Sequence, residues 1–401
     1  MTERRVRLGR VGRALPPWGD EFVSVEVLGA VVLLAATVAA LVWANVAPAS
    51  YASVWHHPLD LSVAGLDLDL TRSHWVTDGL MTLFFFVVGL EIKRELVRGE
   101  LRDPRTAALP VLAALGGMVV PAVVYLAITA GHGGSDGWAV PMATDIAFAT
   151  GVLALLGSRV PQSLRLFLLT LAIVDDIGAI VVIAIFYSGG VRGAWLLAAV
   201  GVVVVVLVLQ RLGVASPIAY VVPALALWLC VQQSGVHATI AGVALGLLTP
   251  ARPFGGRSVI EGLEHRLHPW SSFVVVPLFA LANAGVVIDA DAVARAVRSP
   301  VTLGIVAGLV LGKPVGVAAT TLLGARLGVG RLPEGASTRH VIALGAVAGV
   351  GFTVALFIAG LAFGPARFDL AVIGILAGSV CSALLGAVLF LTGPTRDRST
   401  A

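Results

Sequence analysis

The 401 residues are 58% hydrophobic and only 12% charged, with a mean hydropathy of +0.96 and a formal net charge of +4. Soluble globular chains carry about 25% charged residues, so the composition excludes a soluble catalyst and implies an all-α polytopic membrane protein. The two cysteines, Cys230 and Cys381, both lie in apolar runs and support neither a disulfide framework nor a metal centre.

Positions 1–22 are polar and hold Arg4, Arg5, Arg7, Arg10 and Arg13. The stretch could be the basic end of a signal peptide, with Ala47-Pro48-Ala49 as a cleavage site. The apolar run that follows, 23–46, is longer than a signal core and reads as a retained anchor. Further apolar segments follow at 73–91, 108–130, 138–157, 163–187, 194–210, 216–231, 235–249, 270–288, 302–324, 340–363 and 370–392. With the first they make about twelve, numbered in order. Segments 7 and 8 are short and close together, which leaves eleven crossings open. The strict alternation of strands is absent, and glycine and alanine are abundant where helices in lipid pack closely. The expected organisation is a cytoplasmic tail (1–22), a single transmembrane domain (23–392) and a second cytoplasmic tail (393–401).

Twelve crossings with both ends inside place 21 Lys and Arg residues on the cytoplasmic side and five outside, namely Arg72, Arg192, Arg295, Arg298 and Arg367. That asymmetry is the one that orients membrane proteins. It accounts for the net positive charge without a nucleic-acid partner.

Segment 2 ends in Val88-Gly89-Leu90-Glu91-Ile92-Lys93-Arg94-Glu95, with Asp78 near its other end. In segment 4, Pro141 removes a backbone donor, and Thr144 and Asp145 follow the break directly. A broken helix exposes N–H and C=O groups that lipid does not tolerate but an ion cavity can use; the plainer reading is a kink with a satisfied carboxylate. Segment 5 carries Val174-Asp175-Asp176-Ile177 in the middle of an apolar run. An ionised Asp near the bilayer centre costs at least about 2.5–3.5 kcal/mol. Adjacent helical residues point about 100° apart, so the two cannot share one neighbour. One Asp could simply tie helices together through a basic partner. The sharper reading is a proton or cation site, because close carboxylates resist ionising together and titrate as a unit, and a bound cation reverses that cost.

His237, in Ser234-Gly235-Val236-His237, is a lone histidine of the kind that is more often structural. Before segment 9, Glu264, His265 and His268 form a group suited to sensing pH near neutrality, or a solvated interface patch. Lys313 stands near the middle of segment 10 in Gly312-Lys313-Pro314; the plainer reading is snorkelling, and the sharper one, favoured by the mid-segment position, is a buried lysine with Asp175 as candidate partner. Segment 11 is weakened by Gly345, Gly349 and Gly351. Segments 4 and 11 are therefore both interrupted, and segments 3–5 and 10–12 are expected to form two inverted repeats around a midplane site.

These stretches, together with Leu153-Ala154-Leu155-Leu156-Gly157-Ser158-Arg159-Val160-Pro161, Ala282-Asn283-Ala284-Gly285, Leu332-Pro333-Glu334-Gly335 and Gly349-Val350-Gly351-Phe352-Thr353, run in order along nearly the whole chain. The sequence resembles the NhaA-type sodium/proton antiporters. The resemblance implies twelve helices, with broken helices 4 and 11 crossing near the midplane. It implies that Asp176 is the main sodium ligand, Asp175 its partner in contact with Lys313, and Thr144 a further cation ligand. Asp145 would offset the positive helix ends at the crossing and Lys313 the negative ones. Glu91, Arg94, Glu95, Glu264, His265 and His268 match the family's pH-response cluster, and His237 another position linked to pH response. Two departures stand out. Thr353 is followed by Val354-Ala355 where the family usually has Met-Ser, and Asn283 is preceded by Leu281-Ala282 where it usually has Phe-Ala.

The expected activity is secondary transport rather than catalysis: extrusion of Na+, and of Li+, in exchange for external protons. The exchange is expected to be electrogenic and pH-regulated, to need no cofactor, and to sit in the bacterial cytoplasmic membrane. The resemblance leaves a homodimer open, through the 53–72 loop and the segment 8–9 connection. Three rivals are a solute symporter, which needs a substrate-sized polar pocket; an intramembrane aspartyl protease, whose two carboxylates come from separate helices; and a passive channel.

Overall fold

A computed structural model of the chain describes residues 18–63, 66–214, 216, 218–251 and 258–392. Most of the expected N-terminal tail, the whole C-terminal tail, and Arg252 and Arg257 lie outside the described residues.

Each expected segment is found as helix. Segment 1 is Trp18–Val46, segment 2 Arg72–Arg98, segment 3 Pro104–Thr129, segment 5 Gln162–Phe186, segment 6 Gly193–Arg211, segment 10 Pro300–Arg326 and segment 12 Pro365–Leu391. Segment 4 consists of Ser135–Met142 and Ile146–Leu155, bent by 40°, and segment 11 of Thr338–Ala348 and Phe352–Ala362, bent by 49°. Segments 7 and 8 are separate helices, Ile218–Gln233 and Thr239–Leu248. Segment 9 starts earlier than hydropathy indicates: its helix runs from 259 to 283, because the charged stretch Val259–Trp270 continues into it without a break.

Among the described residues three turns are π-helical: Trp75–Leu80 in segment 2, Ser271–Val275 in segment 9 and Gly308–Gly312 in segment 10. Prolines lie just beyond the last two, Pro277 and Pro314. A missing N–H at those positions disturbs the regular ladder of the preceding turn.

The strand-free expectation needs one correction. Pro58–Val63 and Leu66–Thr71 form an antiparallel hairpin, with Pro58 opposite Thr71 and Val63 opposite Leu66. Leu59-Asp60-Leu61-Ser62-Val63 and Leu66-Asp67-Leu68-Asp69-Leu70 do alternate, at the period that suits a two-faced ribbon.

Glycines let the helix axes approach. A Cβ on Gly89 of segment 2 would lie 2.8 Å from the Val243 carbonyl, and one on Gly246 of segment 8 would lie 2.7 Å from the Gly89 Cα. Gly116 of segment 3 and Gly316 of segment 10 meet backbone to backbone in the same way. Such contacts gain dispersion energy that larger residues would forfeit. Gly246→Val therefore forces segments 2 and 8 apart, at the ~1–3 kcal/mol typical of overpacking. Its expected signature is a Tm several degrees below that of the unsubstituted protein in detergent, whereas Gly262→Val, at a position with nothing near it, leaves Tm unchanged.

Candidate functional site

The site is built where the two broken helices touch. After Met142 the chain runs extended through Ala143 and Asp145 (φ −89°, ψ 105°) before helix resumes at Ile146. Segment 11 breaks at Gly349–Gly351. The Asp145 N–H donates to the Val350 carbonyl at 2.6 Å, and a Cβ on Gly351 would lie 2.8 Å from the Ala143 carbonyl. Glycine is needed there for close approach.

Four helix ends meet at this contact. The two N-terminal ends share one carboxylate: Asp145 Oδ1 accepts from the Phe148 N–H at 3.1 Å, and Oδ2 accepts from the Thr353 N–H at 3.0 Å and the Thr353 hydroxyl at 2.7 Å. The two C-terminal ends meet donors: the Met142 carbonyl accepts from the Lys313 ammonium, and the Ala348 carbonyl lies 2.9 Å from the Thr144 hydroxyl. Negative charge thus stands at the positive ends of the dipoles and positive charge at a negative end.

Segment 5 passes beside the crossing with both aspartates buried. Asp175 Oδ2 lies 2.6 Å from Lys313 Nζ and 2.6 Å from Thr144 Oγ1, and the side chains of Asp175 and Lys313 are both 0% exposed. Thr144 has one proton for two acceptors, Asp175 and Ala348. Asp175 Oδ1 is buried with no hydrogen-bond partner among the described residues. Asp176, turned about 100° from its neighbour, faces a cavity that is also lined by Thr144, Asp145 and Thr353. The same cavity reaches Glu91, Arg94 and His268. At about 80 Å³ it is far below the roughly 300–1,000 Å³ of small-molecule pockets.

Around Glu91, Arg94 and His268, segment 2 meets the charged start of segment 9. Arg94 pairs with Glu264 and, at 3.5 Å, with Glu95; His268 Nε2 lies 4.0 Å from Glu91 Oε1. Arg98 pairs with Glu261. Burial pushes the Glu264 carboxyl up from its ordinary range, against the pull of the Arg94 guanidinium. Burial, aided by Arg94, pushes the His268 imidazole down. His265 is exposed and takes no part in these ion pairs. His237 sits elsewhere, its Nε2 2.9 Å from the Tyr187 carbonyl. The structure therefore brings together Asp175, Asp176, Thr144, Asp145 and Lys313, and separately Glu91, Arg94, Glu95, Glu264 and His268. His265 and His237 join neither group.

Thr353 belongs to the site but is absent from the candidates read from the sequence. Its signal was present: it follows the glycine break of segment 11 as Thr144 follows the Pro141 break of segment 4.

Residues 20–390 match the family model described as Na+/H+ antiporter 1. A protein of Shewanella loihica named Na(+)/H(+) antiporter NhaA is 46% identical over 371 residues, covering 91% of this chain and 94% of its own. One of Klebsiella pneumoniae, Na(+)/H(+) antiporter NhaA 1, is 46% identical over 385 residues (94% and 97%). One of Sorangium cellulosum, Na(+)/H(+) antiporter NhaA 2, is 45% identical over 412 residues (91% and 88%).

Two stability tests follow from the geometry. Removing one member of a buried ion pair costs about 3–5 kcal/mol, while replacing both by apolar residues is often neutral. Lys313→Met and Asp175→Leu are each expected to lower Tm, and the double variant to lie well above the sum of the two losses; additive losses would contradict the pair. The second test concerns pH. The Glu264 carboxyl is raised in the folded state, so folded protein holds a proton that the unfolded chain has released, and stability falls as pH rises above the ordinary Glu value. Arg94→Ala removes the opposing pull and extends that loss to higher pH. Tm measured from pH 5 to 8 should fall more steeply in Arg94→Ala than in wild type, and adding Glu264→Gln should flatten it; parallel curves would refute the assignment.

Proposed function

The chain belongs to the Na+/H+ antiporter 1 family, and on that premise we propose that it exchanges Na+ for protons at Asp175 and Asp176 by alternating access. The observation that carries this reading is the division of labour between adjacent carboxylates. Asp176 faces the cavity, while Asp175 is held by Lys313 and Thr144. A hard cation entering the cavity meets the oxygens of Asp176 and Thr144, and Asp175 becomes available to it only as Lys313 gives way. Protons and Na+ then compete for one set of oxygens, because two close carboxylates do not stay ionised without a cation between or beside them. Coupling requires that the site change sides only when loaded with one or the other.

Asp145, fixed by Phe148 and Thr353, stays with the four helix ends and keeps the crossing together while cargo changes. Glu91, Arg94 and His268 line the cavity, Glu95 and Glu264 pair with Arg94, and the charge state of this cluster sets how readily a cation enters; His265 and His237 would act on it only at a distance. The excess of Arg and Lys on one side supports placing both termini and this cluster on the cytoplasmic side. Li+ is small and hard enough to use the same oxygens. Two protons per Na+ would move one net charge inward, worth about 2.3 kcal/mol per 100 mV. The hairpin at 58–71 carries unpaired strand edges that suit pairing with a second copy.

The small cavity disfavours a solute symporter, and the adjacency of the aspartates, one of them bound to Lys313, disfavours a protease. In everted vesicles acidified inside, Na+ or Li+ is expected to release protons from the lumen across external pH of roughly 6.5–8.5. Asp176→Asn should abolish the response. Absence of any cation response in the unsubstituted protein would sink the antiporter reading.

A further inference from the structure

Segment 10 changes its hydrogen-bond pattern just before Lys313. In the π-helical turn Gly308–Gly312, the Lys313 N–H donates to the Gly308 carbonyl, five residues back. In an α-helix that N–H would serve Leu309. The N–H that would serve Leu309 in a continued π-turn does not exist, because residue 314 is proline. The Leu309 carbonyl thus lacks both its α-helical and its π-helical donor, at a residue that is fully buried. Buried carbonyls rarely stay unpaired.

That carbonyl comes up against the break of segment 11. A Cβ on Gly349 would collide with the Leu309 oxygen and would lie 2.8 Å from Ser382 Oγ. Ser382, on segment 12, is fully buried, and its hydroxyl has no partner among the described residues. An orphan acceptor and an orphan donor therefore converge on one point beside Gly349, within reach of a rotated hydroxyl or of a single bridging water. Ser379, one turn earlier, is also buried with an unpaired hydroxyl, but the atoms nearest this point are the Leu309 and Ala346 carbonyl oxygens and Ser382 Oγ.

We propose that Ser382 is a positioning residue of the exchange site: its hydroxyl, directly or through one water, holds the Leu309 carbonyl and so keeps the π-turn that aims Lys313 at Asp175. This rests on reading Asp175 and Lys313 as part of the exchange site. Without the hydroxyl, the Lys313 N–H can return to Leu309, and the turn relaxes to the α pattern. The ammonium then rotates about the helix axis, away from Asp175. Segments 10, 11 and 12 are thereby linked through one glycine at the crossing.

Ser382→Ala should change the chemistry of exchange rather than the amount of folded protein. An ammonium held further from Asp175 stabilises the ionised carboxylate less, so the pH of half-maximal Na+-driven proton release should rise by roughly half a unit or more, and KM for Na+ should change by about threefold or more with Vmax little altered. Ser382→Thr, which keeps the hydroxyl, should restore the profile, and Ser379→Ala should match wild type. Equal profiles for Ser382→Ala and wild type, or equal shifts for Ser382→Ala and Ser379→Ala, would overturn the proposal. Hydrogen–deuterium exchange over 305–316 reads the same contact without transport. It should quicken in Ser382→Ala and not in Ser379→Ala, and unchanged exchange would also overturn the role. If wild type shows no cation response while this difference persists, the antiporter reading fails and the contact between Ser382 and the turn stands.

Discussion

Four helix ends meeting away from water set the terms for everything around them. Each end carries about half an elementary charge from its aligned peptides, and none can be left facing lipid. Asp145 answers the two positive ends with a single carboxylate that reaches both Phe148 and Thr353. Lys313 and Thr144 answer the two negative ends at Met142 and Ala348. The breaks themselves come from Pro141 on one side and Gly349 and Gly351 on the other. Those glycines admit the backbone contacts that a side chain would block.

Once the crossing is closed, the aspartate pair on segment 5 is no longer symmetrical. A rotation of about 100° between neighbours gives Asp175 to Lys313 and Asp176 to the cavity. The ammonium that meets a helix end at Met142 therefore also holds the carboxylate next to the one that lines the cavity. Binding at one group alters what the other groups can hold, which is the physical condition for coupling two ions at one site. The π-turn ahead of Lys313 belongs to the same economy, since the direction of that side chain depends on which carbonyl its own N–H serves.

The contact between segment 2 and the charged start of segment 9 follows a different logic. Glu264 and His268 are four residues apart on one helix and share a face that looks toward segment 2, whereas His265 turns outward. Helical spacing alone would have separated them. The spacing of Glu264, His265 and His268 already contains this distinction. The hairpin at 58–71 is equally readable from its alternating leucines, although the chain around it is helical.

Apolar length, breakers and charge asymmetry determine where this chain is helical, where it breaks and that it lives in a bilayer, because transfer free energies and backbone preferences act locally and add along the chain. The same locality exposes Asp175, Asp176 and Lys313 as residues too costly to bury without purpose. Which oxygen meets which donor was decided only in three dimensions. Asp145 and Thr353 lie 208 positions apart, Thr144 and Ala348 204, and Ser382 reaches Gly349 from another helix altogether. Such partners are fixed by the angle at which distant helices cross and by the glycines that let them touch, and no local pattern in the sequence encodes that angle.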